Sequence, residues 1–572
     1  MKKILKWGVG LFLFLLILGA TAVLFFRRQL NPAPPESQAF INGQILTMDA
    51  ASTIAEAVYV EKDRIVAVGS NEEIKTYITG RTKVTDLQGA TMMPGIVDAH
   101  SHFPGNGVDS FWVNLNSPPV GSVTTIEQAL DLLREKAKNT PKGEWIIAYG
   151  YDDTLLAEKR HLTRADLDSV STEHPIYAMH VSGHMGVANS LALEIAGVTA
   201  GTPDPEGGEF VRDEQSGELT GLLKESAREV MNPYLFDFSP LEMFRLLQAG
   251  VDAYARNGVT TAQSGLASPR IVQSMGQASR LGLIPLRLVV WPEAEAGLAA
   301  VAAGADWQTY ESDKFTVGAF KLFADGSIQG YTGYLTEPYY VPPPGQTAYR
   351  GYPVTGYEEL RDLVMQIQNN GYQAAVHTNG DAAIDMALDA FAAAQAANPR
   401  EDARSILVHA QMMRPDQLDR AAELGVTPTF FVAHTYYWGD RHREIFLGPE
   451  RAAQISPLNT ALEKGVPFTI HLDTPVVPMN PMLLAWTAVN RQTTGGETLG
   501  PAERIPVMAA LRAITIDAAW QMFLEDDRGS IEPGKLADLI VLSDDPLDNP
   551  ETLREIQVMK TIVGGVTLFE RD

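Results

Sequence analysis

The sequence predicts an α/β protein: a distorted (β/α)8 (TIM) barrel, a small β-sandwich built from both ends of the chain, and an N-terminal transmembrane helix. Three observations predict this class. Eight apolar runs alternate with helical stretches through the middle of the chain, the pattern expected of a (β/α)8 barrel. Short β-rich runs lie at both ends. An uncharged run of membrane-spanning length, Trp7 to Phe26, stands near the N-terminus.

Residues 1–30 are predicted to be a membrane anchor or a signal segment. Three lysines precede the uncharged run and Arg27-Arg28 close it. As a helix with a 1.5 Å rise per residue, the run would span about 30 Å, the thickness of a hydrocarbon core. We favour an anchor with a cytoplasmic N-terminus and an extracytoplasmic body, periplasmic or on the cell surface. A signal peptide cleaved after Ala20-Thr21-Ala22, which would give a secreted protein, is the alternative. A Pro-rich spacer follows at residues 31–37.

Residues 38–91 and 529–572 are predicted to form one composite β-sandwich. The first segment carries four β-rich runs and one short helix, too little material for an independent β domain. The last segment supplies a buried strand after Pro533-Gly534. It also supplies a hairpin, Val558–Val563 with Val566–Phe569, which turns at Gly564-Gly565.

Residues 92–528 are predicted to form the barrel, with an insertion at about 103–257. The first strand lies in the segment Met92–His102. The other seven are Gly258–Gly265, Pro285–Trp291, Val317–Phe323, Gln373–His377, Ser405–His409, Val426–Val432 and Pro467–Leu472. Helical patterns such as Tyr357–Asn369 and Pro415–Leu424 separate the later ones. The insertion is too long for one crossover and contains the apolar strands Trp145–Tyr149 and Ile176–Val181.

Composition restricts the chemistry and the partners. The formal net charge of −25 argues against nucleic-acid binding. Without cysteine, disulfides, thiol catalysis and cysteine-ligated zinc are excluded, so any metal must bind His, Asp, Glu or a modified Lys. The expected partners are a small-molecule substrate and, through the N-terminal segment, a membrane; the sequence carries no signal of oligomeric state.

Residues of metal-ligand type stand at the ends of successive predicted strands. In a β-strand, the i, i+2 side chains of His100 and His102 would share one face, where both imidazoles could bind one metal. Later strand ends or the loops after them supply Lys321, Asp325, His377, His409, His434 and Asp473. Each has a structural alternative, such as a snorkelling lysine or a loop-capping histidine. Structural residues have no reason to recur at one end of successive strands, and this recurrence indicates a metal site.

These motifs together resemble the amidohydrolase superfamily of metal-dependent hydrolases, in particular the branch of N-substituted formamide deformylase. The resemblance covers nearly everything after residue 38. It rests on Pro-Gly-x-x-Asp-x-His-x-His at the opening, Gly150-Tyr-Asp-Asp, Ser182-Gly-His184, Asp204-Pro-Glu-Gly-Gly, Gly221-Leu-Leu-Lys-Glu, Lys-Leu-Phe-Ala-Asp-Gly-Ser at Lys321, His-Ala-Gln at His409 and the tail Pro-Gly-Lys-Leu-Ala-Asp-Leu-Ile-Val-Leu.

The resemblance implies a site for one or two divalent metal ions, and zinc is the expected metal. His100 and His102 would bind one ion and His377 and His409 the other. Lys321 matches a lysine that bridges two metals after carboxylation. Asp473 matches an aspartate that contacts a metal and handles the proton of the attacking water. Two departures concern the pocket: His471-Leu472 stands where a small residue usually precedes the aspartate, and His-Thr-Asn-Gly-Asp follows strand five.

Three further residues are candidates for substrate chemistry. His184, in the insertion, is a candidate catalytic donor to the developing oxyanion. His434 and Asp325 are candidate substrate-binding residues. His180 is taken as structural, and His161, His174 and His442 are given no role.

The expected function is hydrolysis of a non-peptide carbon–nitrogen bond, amide or formamide-like, by hydroxide generated at the metal centre. An esterase, lactonase or cyclic-amide hydrolase with the same centre is the alternative among enzymes. A non-catalytic binding protein is the alternative of another class, and such a protein would need none of the six metal-centre residues.

Overall fold

The computed structural model describes residues 32–235 and 238–571. The predicted membrane or signal segment at residues 1–30 lies outside these ranges and stays a prediction. Across the described ranges, none of the helices combines the length and the apolar character that a bilayer crossing requires.

Strands and helices alternate along most of the chain. The first stretch holds β1 (Ser37–Ile41), β2 (Gln44–Leu46), β3 (Ile54–Ala55), β4 (Ala57–Glu61), β5 (Arg64–Gly69), α1 (Asn71–Lys75), β6 (Lys83–Asp86), β7 (Thr91–Pro94) and β8 (Ile96–Val97). The insertion holds β9 (Val113–Asn114), α2 (Ile126–Lys138), β10 (Ile146–Tyr151), α3 (Arg164–Asp168), β11 (Ile176–His180), β12 (Met185–Ala188), α4 (Ser190–Ile195), β13 (Gly208–Arg212), β14 (Leu219–Glu225) and α5 (Asn232–Leu235).

The remaining elements run to the end of the chain. They are α6 (Pro240–Arg256), β15 (Val259–Ala267), α7 (Pro269–Arg280), β16 (Arg287–Pro292), α8 (Ala294–Ala302), β17 (Phe315–Val317), β18 (Phe320–Phe323), α9 (Tyr357–Asn369), β19 (Ala374–Thr378), α10 (Asp381–Ala397), β20 (Ile406–His409), α11 (Pro415–Leu424), β21 (Thr427–Phe430), α12 (Ala433–Arg441), α13 (Gly448–Ala452), α14 (Leu458–Glu463), β22 (Thr469–Ile470), α15 (Pro481–Asn490), α16 (Val507–Ala513), α17 (Ile516–Gln521), β23 (Leu539–Leu542), β24 (Val558–Val563) and β25 (Val566–Glu570).

Strands from both ends of the chain share one sheet. Its order is β25-β24-β23-β7-β2-β3, and the neighbouring sheet of the first stretch has the order β5-β4-β1-β6. The two sheets share a core in which Val58 and Val60 of β4 cluster with Met92 of β7 and Leu539 of β23. A buried ion pair connects this module to the rest: Arg287, at the start of β16, binds Asp538 through Nε at 2.6 Å and Nη2 at 3.0 Å.

The middle of the chain forms two parallel sheets. Their orders are β17-β16-β15-β8 and β18-β19-β20-β21-β22, and every pairing within them is parallel. Strands β16, β19 and β20 are buried at every position. Parallel strands covered on both faces need apolar side chains throughout, which explains the continuous apolar runs in the sequence.

Two predicted strands are wrong in extent, because each breaks at a glycine and enters two sheets. The opening strand divides at Gly95 into β7 of the two-ended sheet and β8 of the first parallel sheet. A Cβ on Gly95 would lie 2.2 Å from Thr260 Cγ2. The predicted strand at 317–323 divides at Gly318 into the end of β17 and β18, and a Cβ there would lie 2.7 Å from Trp291 Cδ1. Both breaks allow a close backbone approach that a side chain would block.

The two parallel sheets meet along two edges. On one side, Glu293 and Lys321 form a parallel β-bridge. On the other, the amide of His102 donates to Thr474 O at 2.8 Å, and the amide of Asp473 donates to His100 O at 3.1 Å. The carboxyl ends of the strands therefore surround one common space, where sites are built in α/β proteins.

The insertion forms a sheet of its own, with the order β13-β14-β12-β11-β10-β9. The two strands predicted in this region correspond to β10 and β11. Asp152, just after β10, accepts a hydrogen bond from Trp438 Nε1 at 3.2 Å and forms an ion pair with Arg441, both on α12. The insertion thus lies against the loops that follow the parallel strands.

Candidate metal centre

The two histidines of the opening motif stand in a loop and not on a strand. Strand β8 ends at Val97, so the expectation that His100 and His102 share one face of a strand is wrong. The backbone bonds to Asp473 and Thr474 hold this loop against the one after β22. Both imidazoles consequently face one carboxylate: Nε2 of His100 lies 3.5 Å and Nε2 of His102 lies 3.2 Å from Asp473 Oδ1.

His100, His102 and Asp473 have the donor geometry of a divalent metal site. Tetrahedral zinc with bonds of about 2.0–2.1 Å places its donor atoms about 3.3 Å apart, close to both nitrogen–oxygen distances above. Burial alone would raise the pKa of Asp473, but the hydrogen bond from His102 and the electrostatic effect of the neighbouring His100 hold it well below its usual range. The carboxylate is therefore ionised inside the protein, and a divalent cation would supply its counter-charge.

Lys321 lies beside this group on β18. Its Nζ is 3.2 Å from His100 Nε2, and the residue is only 2% exposed. Burial lowers the pKa of Lys321 to about 7, against a weaker opposing effect of Asp473. A substantial fraction of the side chain is therefore the uncharged amine near neutral pH, the form that reacts with CO₂ and can bind a metal.

His377 and His409 complete a ring of imidazoles at the ends of β19 and β20. Their ring centroids lie 4.4 Å apart, and that of His409 lies 5.6 Å from His100. Nε2 of His409 is 4.0 Å from Asp473 Oδ2. Burial lowers the pKa of His100, His377 and His409 well below the usual value, so these rings are neutral, as metal ligands must be.

Gly265 provides the space for the His100 ring. A Cβ on Gly265 would lie 2.2 Å from His100 Cε1. The His100 ring also stacks on Trp291, with the ring centroids 5.1 Å apart. Gly265→Ala is therefore expected to displace His100 at a strain of about 1–3 kcal/mol. Because His100 is a candidate metal ligand, this displacement is expected to lower the affinity for zinc about ten- to hundred-fold. Competition with a chromophoric chelator measures it. Gly80→Ala is the control, because its Cβ would meet nothing within 4 Å; equal losses in both variants would contradict the assignment.

His184 reaches the centre from the insertion. Its ring centroid lies 4.9 Å from that of His377, and its Nδ1 lies 2.7 Å from Glu225 Oε2 on β14. The carboxylate accepts the Nδ1 proton and thereby fixes the ring's orientation. The sequence indicates Glu225 only as part of the Gly221-Leu-Leu-Lys-Glu motif, because nothing in the sequence shows that β14 passes next to His184.

Asp325 lies beneath His377 and is fully buried. Its carboxylate accepts three backbone N–H bonds, from Asn379 at 2.9 Å, Gly380 at 2.8 Å and Tyr334 at 2.9 Å, and its Oδ1 is 3.4 Å from His377 Nδ1. These contacts position the loop after β19. Its predicted role in substrate binding stays a prediction.

His434 is buried next to the centre within an aromatic cluster. Its ring stacks on Trp438 at 4.5 Å and contacts Phe431 edge-on at 4.5 Å, while its Nδ1 lies 3.0 Å from His442 Nε2. Substrate contact by His434 likewise stays a prediction.

The sequence analysis missed His471 as a member of the centre. Its ring centroid lies 5.2 Å from that of His100 and 5.0 Å from that of His409, and neither of its buried ring nitrogens has a hydrogen-bond partner among the described residues. The only indication in the sequence is the position of His471 two residues before Asp473, which by itself reads as a departure from the family pattern.

The chain is similar to several known proteins. A family model described as "Amidohydrolase family" matches residues 83–569. The chain is 29% identical to N-substituted formamide deformylase of Arthrobacter pascens, over 93% of this chain and 98% of that protein. It is 30% identical to the putative amidohydrolase YtcJ of Bacillus subtilis strain 168, over 92% and 98%.

The fold also resembles that of a solved structure. An uncharacterised metal-dependent hydrolase from Pyrococcus horikoshii superposes with a TM-score of 0.71 at 24% identity, over 90% of this chain and 99% of that one. At this identity the likeness concerns the fold alone.

Proposed function

The chain belongs to the amidohydrolase family, and from this we propose that it hydrolyses the carbon–nitrogen bond of a small N-acyl or N-formyl amine at a metal centre. The observation that carries the proposal is the convergence on Asp473 of both imidazoles of the His100-x-His102 motif, at 3.5 and 3.2 Å. Lys321 lies next to the same group, 3.2 Å from His100. A carboxylate, imidazoles and a buried amine meet where the carboxyl ends of the parallel strands converge.

The proposed centre holds one or two zinc ions. His100, His102 and Asp473 would hold the first, and His377 and His409 the second, with Lys321 between them as a carbamate. The support is the placement of Lys321 beside His100, its burial and its pKa of about 7, which leaves a reactive amine. Carboxylation would turn the buried amine into an anion, which offsets part of the charge of the bound divalent ions.

Asp473 is the proposed proton-handling residue. A bound divalent cation lowers the pKa of water from about 15.7 towards 7 and polarises a carbonyl. Asp473, already ionised, accepts the proton of the attacking water and returns it to the departing nitrogen. An amine leaves poorly without that proton, so the return step is needed for amide hydrolysis.

His184 is the proposed donor to the developing oxyanion. The hydrogen bond between His184 Nδ1 and Glu225 holds the ring beside the centre, and the proposed donation would come from an Nε2–H of a ring protonated on both nitrogens. His184→Ala is expected to lower kcat about 10²-fold with a small change in KM, because an oxyanion donor acts mainly in the transition state. Steady-state kinetics and zinc content of the same preparation check this. A larger KM with unchanged kcat, or loss of zinc, would contradict the role; His174→Gln is the control within the insertion.

We infer that the two parallel sheets close into one distorted (β/α)8 barrel. The bridge between Glu293 and Lys321 at one edge, and the bonds between the His100–His102 loop and the Asp473–Thr474 loop at the other, support closure. In this division, residues 92–528 form the barrel with an insertion at about 103–257. Residues 38–91 and 529–572 form the composite sandwich.

We further propose that residues 1–30 anchor the protein in a membrane with the catalytic body outside the cytoplasm. The lysine-flanked uncharged run from Trp7 to Phe26 supports this. The full chain is expected in the membrane fraction, released by detergent but not by alkaline carbonate, with the body accessible to external protease. Recovery of a soluble form whose mass shows that the residues up to about Ala22 have been removed would instead support a cleaved signal.

A substrate screen tests the proposed reaction. The zinc-loaded full chain is assayed for amine release from simple N-formyl and N-acetyl amines, and for acid release from esters and lactones of matching size. Amine release that Asp473→Asn removes is the expected result. Turnover confined to esters or lactones would favour the alternative reaction, and no turnover of any class would overturn the proposal.

A further inference from the structure

A second group of metal-ligand side chains lies in the insertion, outside the Asp473 centre. Strands β10 and β11 are parallel neighbours, with Tyr151 paired to His180 at their carboxyl ends. Asp153 follows β10, His180 ends β11, and His161 comes from the loop between them. One ligand atom from each of Asp153, His161 and His180 lies within 4.8 Å of the others.

The donor spacing of this group resembles that of the Asp473 centre. Asp153 Oδ1 lies 3.1 Å from His180 Nε2 and 3.8 Å from His161 Nδ1. Tetrahedral zinc requires about 3.3 Å between donors. The His180 side chain is 1% exposed, that of Asp153 19% and that of His161 28%, so the group is sheltered yet reachable from solvent.

The charge of the group suits a divalent cation. Burial would raise the pKa of Asp153, but the neighbouring His161 and His180 lower it to about 2. Burial lowers the pKa of His161 to about 4. The adjacent Asp152 is already engaged by Arg441 and Trp438. Asp153 is therefore an anion between two imidazoles, and two imidazoles with one carboxylate are a usual ligand set for zinc.

Hydrogen bonds connect this group to the catalytic histidine of the insertion. His180 Nδ1 accepts the Ser182 N–H at 3.2 Å and lies 2.9 Å from Ser182 Oγ, which in turn accepts the His184 N–H at 3.2 Å. Coordination through His180 Nε2 would move that ring's proton to Nδ1, with no net proton change. Nδ1 would then donate to Ser182 Oγ and would no longer accept the Ser182 N–H. The Nδ1 of His161 would exchange its bond with the Tyr151 hydroxyl, at 3.2 Å, for the metal.

We propose that Asp153, His161 and His180 bind a divalent transition-metal ion at a site separate from the Asp473 centre. Two imidazoles and one carboxylate favour zinc as that ion. The ion joins the ends of β10 and β11 to the loop between them and fixes the Ser182–His184 segment that reaches the active centre. This role is structural and does not depend on which bond the enzyme cleaves.

Zinc stoichiometry of the full chain tests the proposal. Wild type and variants are dialysed against buffered zinc and analysed by mass spectrometry of the metal. His161→Gln and Asp153→Asn are each expected to hold one equivalent fewer than wild type. His174→Gln is the matched control, since this buried histidine of the insertion only hydrogen-bonds, to Ser171 Oγ and Thr140 O, and should hold the wild-type amount.

The expected difference holds whether or not the Asp473 centre is filled. If that centre bound no metal, wild type would hold one equivalent and His161→Gln none, so failure of the proposed function and failure of this site give different results. Circular dichroism confirms that each variant is folded. Folded His161→Gln and Asp153→Asn with the wild-type stoichiometry would overturn the second site.

Discussion

Asp473→Asn is expected to lower kcat by about 10²–10⁴-fold while most of the metal stays bound. The substitution removes the carboxylate that accepts the water proton and returns it to the leaving amine, the contribution expected of a general acid–base group. His100 and His102 remain, and the amide oxygen of asparagine still faces them. Single-turnover kinetics and metal analysis of the same preparation measure the two effects separately.

A carboxylate outside the centre provides the control for this variant. Asp440 accepts hydrogen bonds from the Thr493 hydroxyl and the Gly495 amide, so Asp440→Asn tests the general effect of losing one carboxylate. It should keep wild-type turnover. Near-normal activity of Asp473→Asn would mean that another group handles the proton.

Lys321→Ala is expected to lose metal and to lower kcat/KM by at least about 10²-fold, because a bridging ligand should matter more than the outer groups that support ligands. A short carboxylic acid such as acetate or propionate should fill the space and restore part of both the metal content and kcat/KM, by placing a carboxylate where the carbamate is proposed to lie. Lys314→Ala is the matched control, because Lys314 is partly buried and donates to Pro285 O at 3.0 Å. It should bind metal normally and show no response to the acid.

The proposed carbamate on Lys321 also predicts a pH dependence for reassembly of the metal centre. With a pKa of about 7 in the metal-free protein, Lys321 is mostly ammonium at pH 6 and mostly amine at pH 8. At constant dissolved CO₂, the initial rate of zinc-dependent reactivation should therefore rise about ten-fold between these pH values. A flat profile, together with no rescue of Lys321→Ala, would indicate a centre without a carboxylated lysine.

Much of the parallel framework could be predicted because its chemistry is local. Buried parallel strands require continuous apolar runs, and helices such as Tyr357–Asn369 and Pro415–Leu424 have the predicted bounds. The breaks at Gly95 and Gly318 could not be predicted, because they depend on Thr260 and Trp291, residues distant in sequence that pack against them.

The candidate ligands also divide into those that the sequence indicates and those that only the tertiary structure shows. His377 and His409 lie near the ends of β19 and β20, and His100, His102 and Asp473 lie in the loops after β8 and β22, positions that the sequence pattern indicates. Lys321 lies within β18, on one of the predicted strands. The roles of His471, Glu225 and the Asp153 group depend on tertiary pairing. Tyr151 meets His180 only because the β10–β11 register shifts between Tyr149 and Tyr151, where Gly150 has a φ of +89°.

Metal-dependent reconstitution tests the central claim most directly. The full chain is stripped with a chelator, assayed for amine release from the best N-acyl or N-formyl substrate, and assayed again after zinc and bicarbonate are added. Hydrolysis should vanish on stripping and return with zinc in wild type, and it should not return in the double variant His100→Ala/His102→Ala. Undiminished hydrolysis by the metal-free protein, or recovery in the double variant, would contradict the assignment of the Asp473 centre as the catalytic metal site.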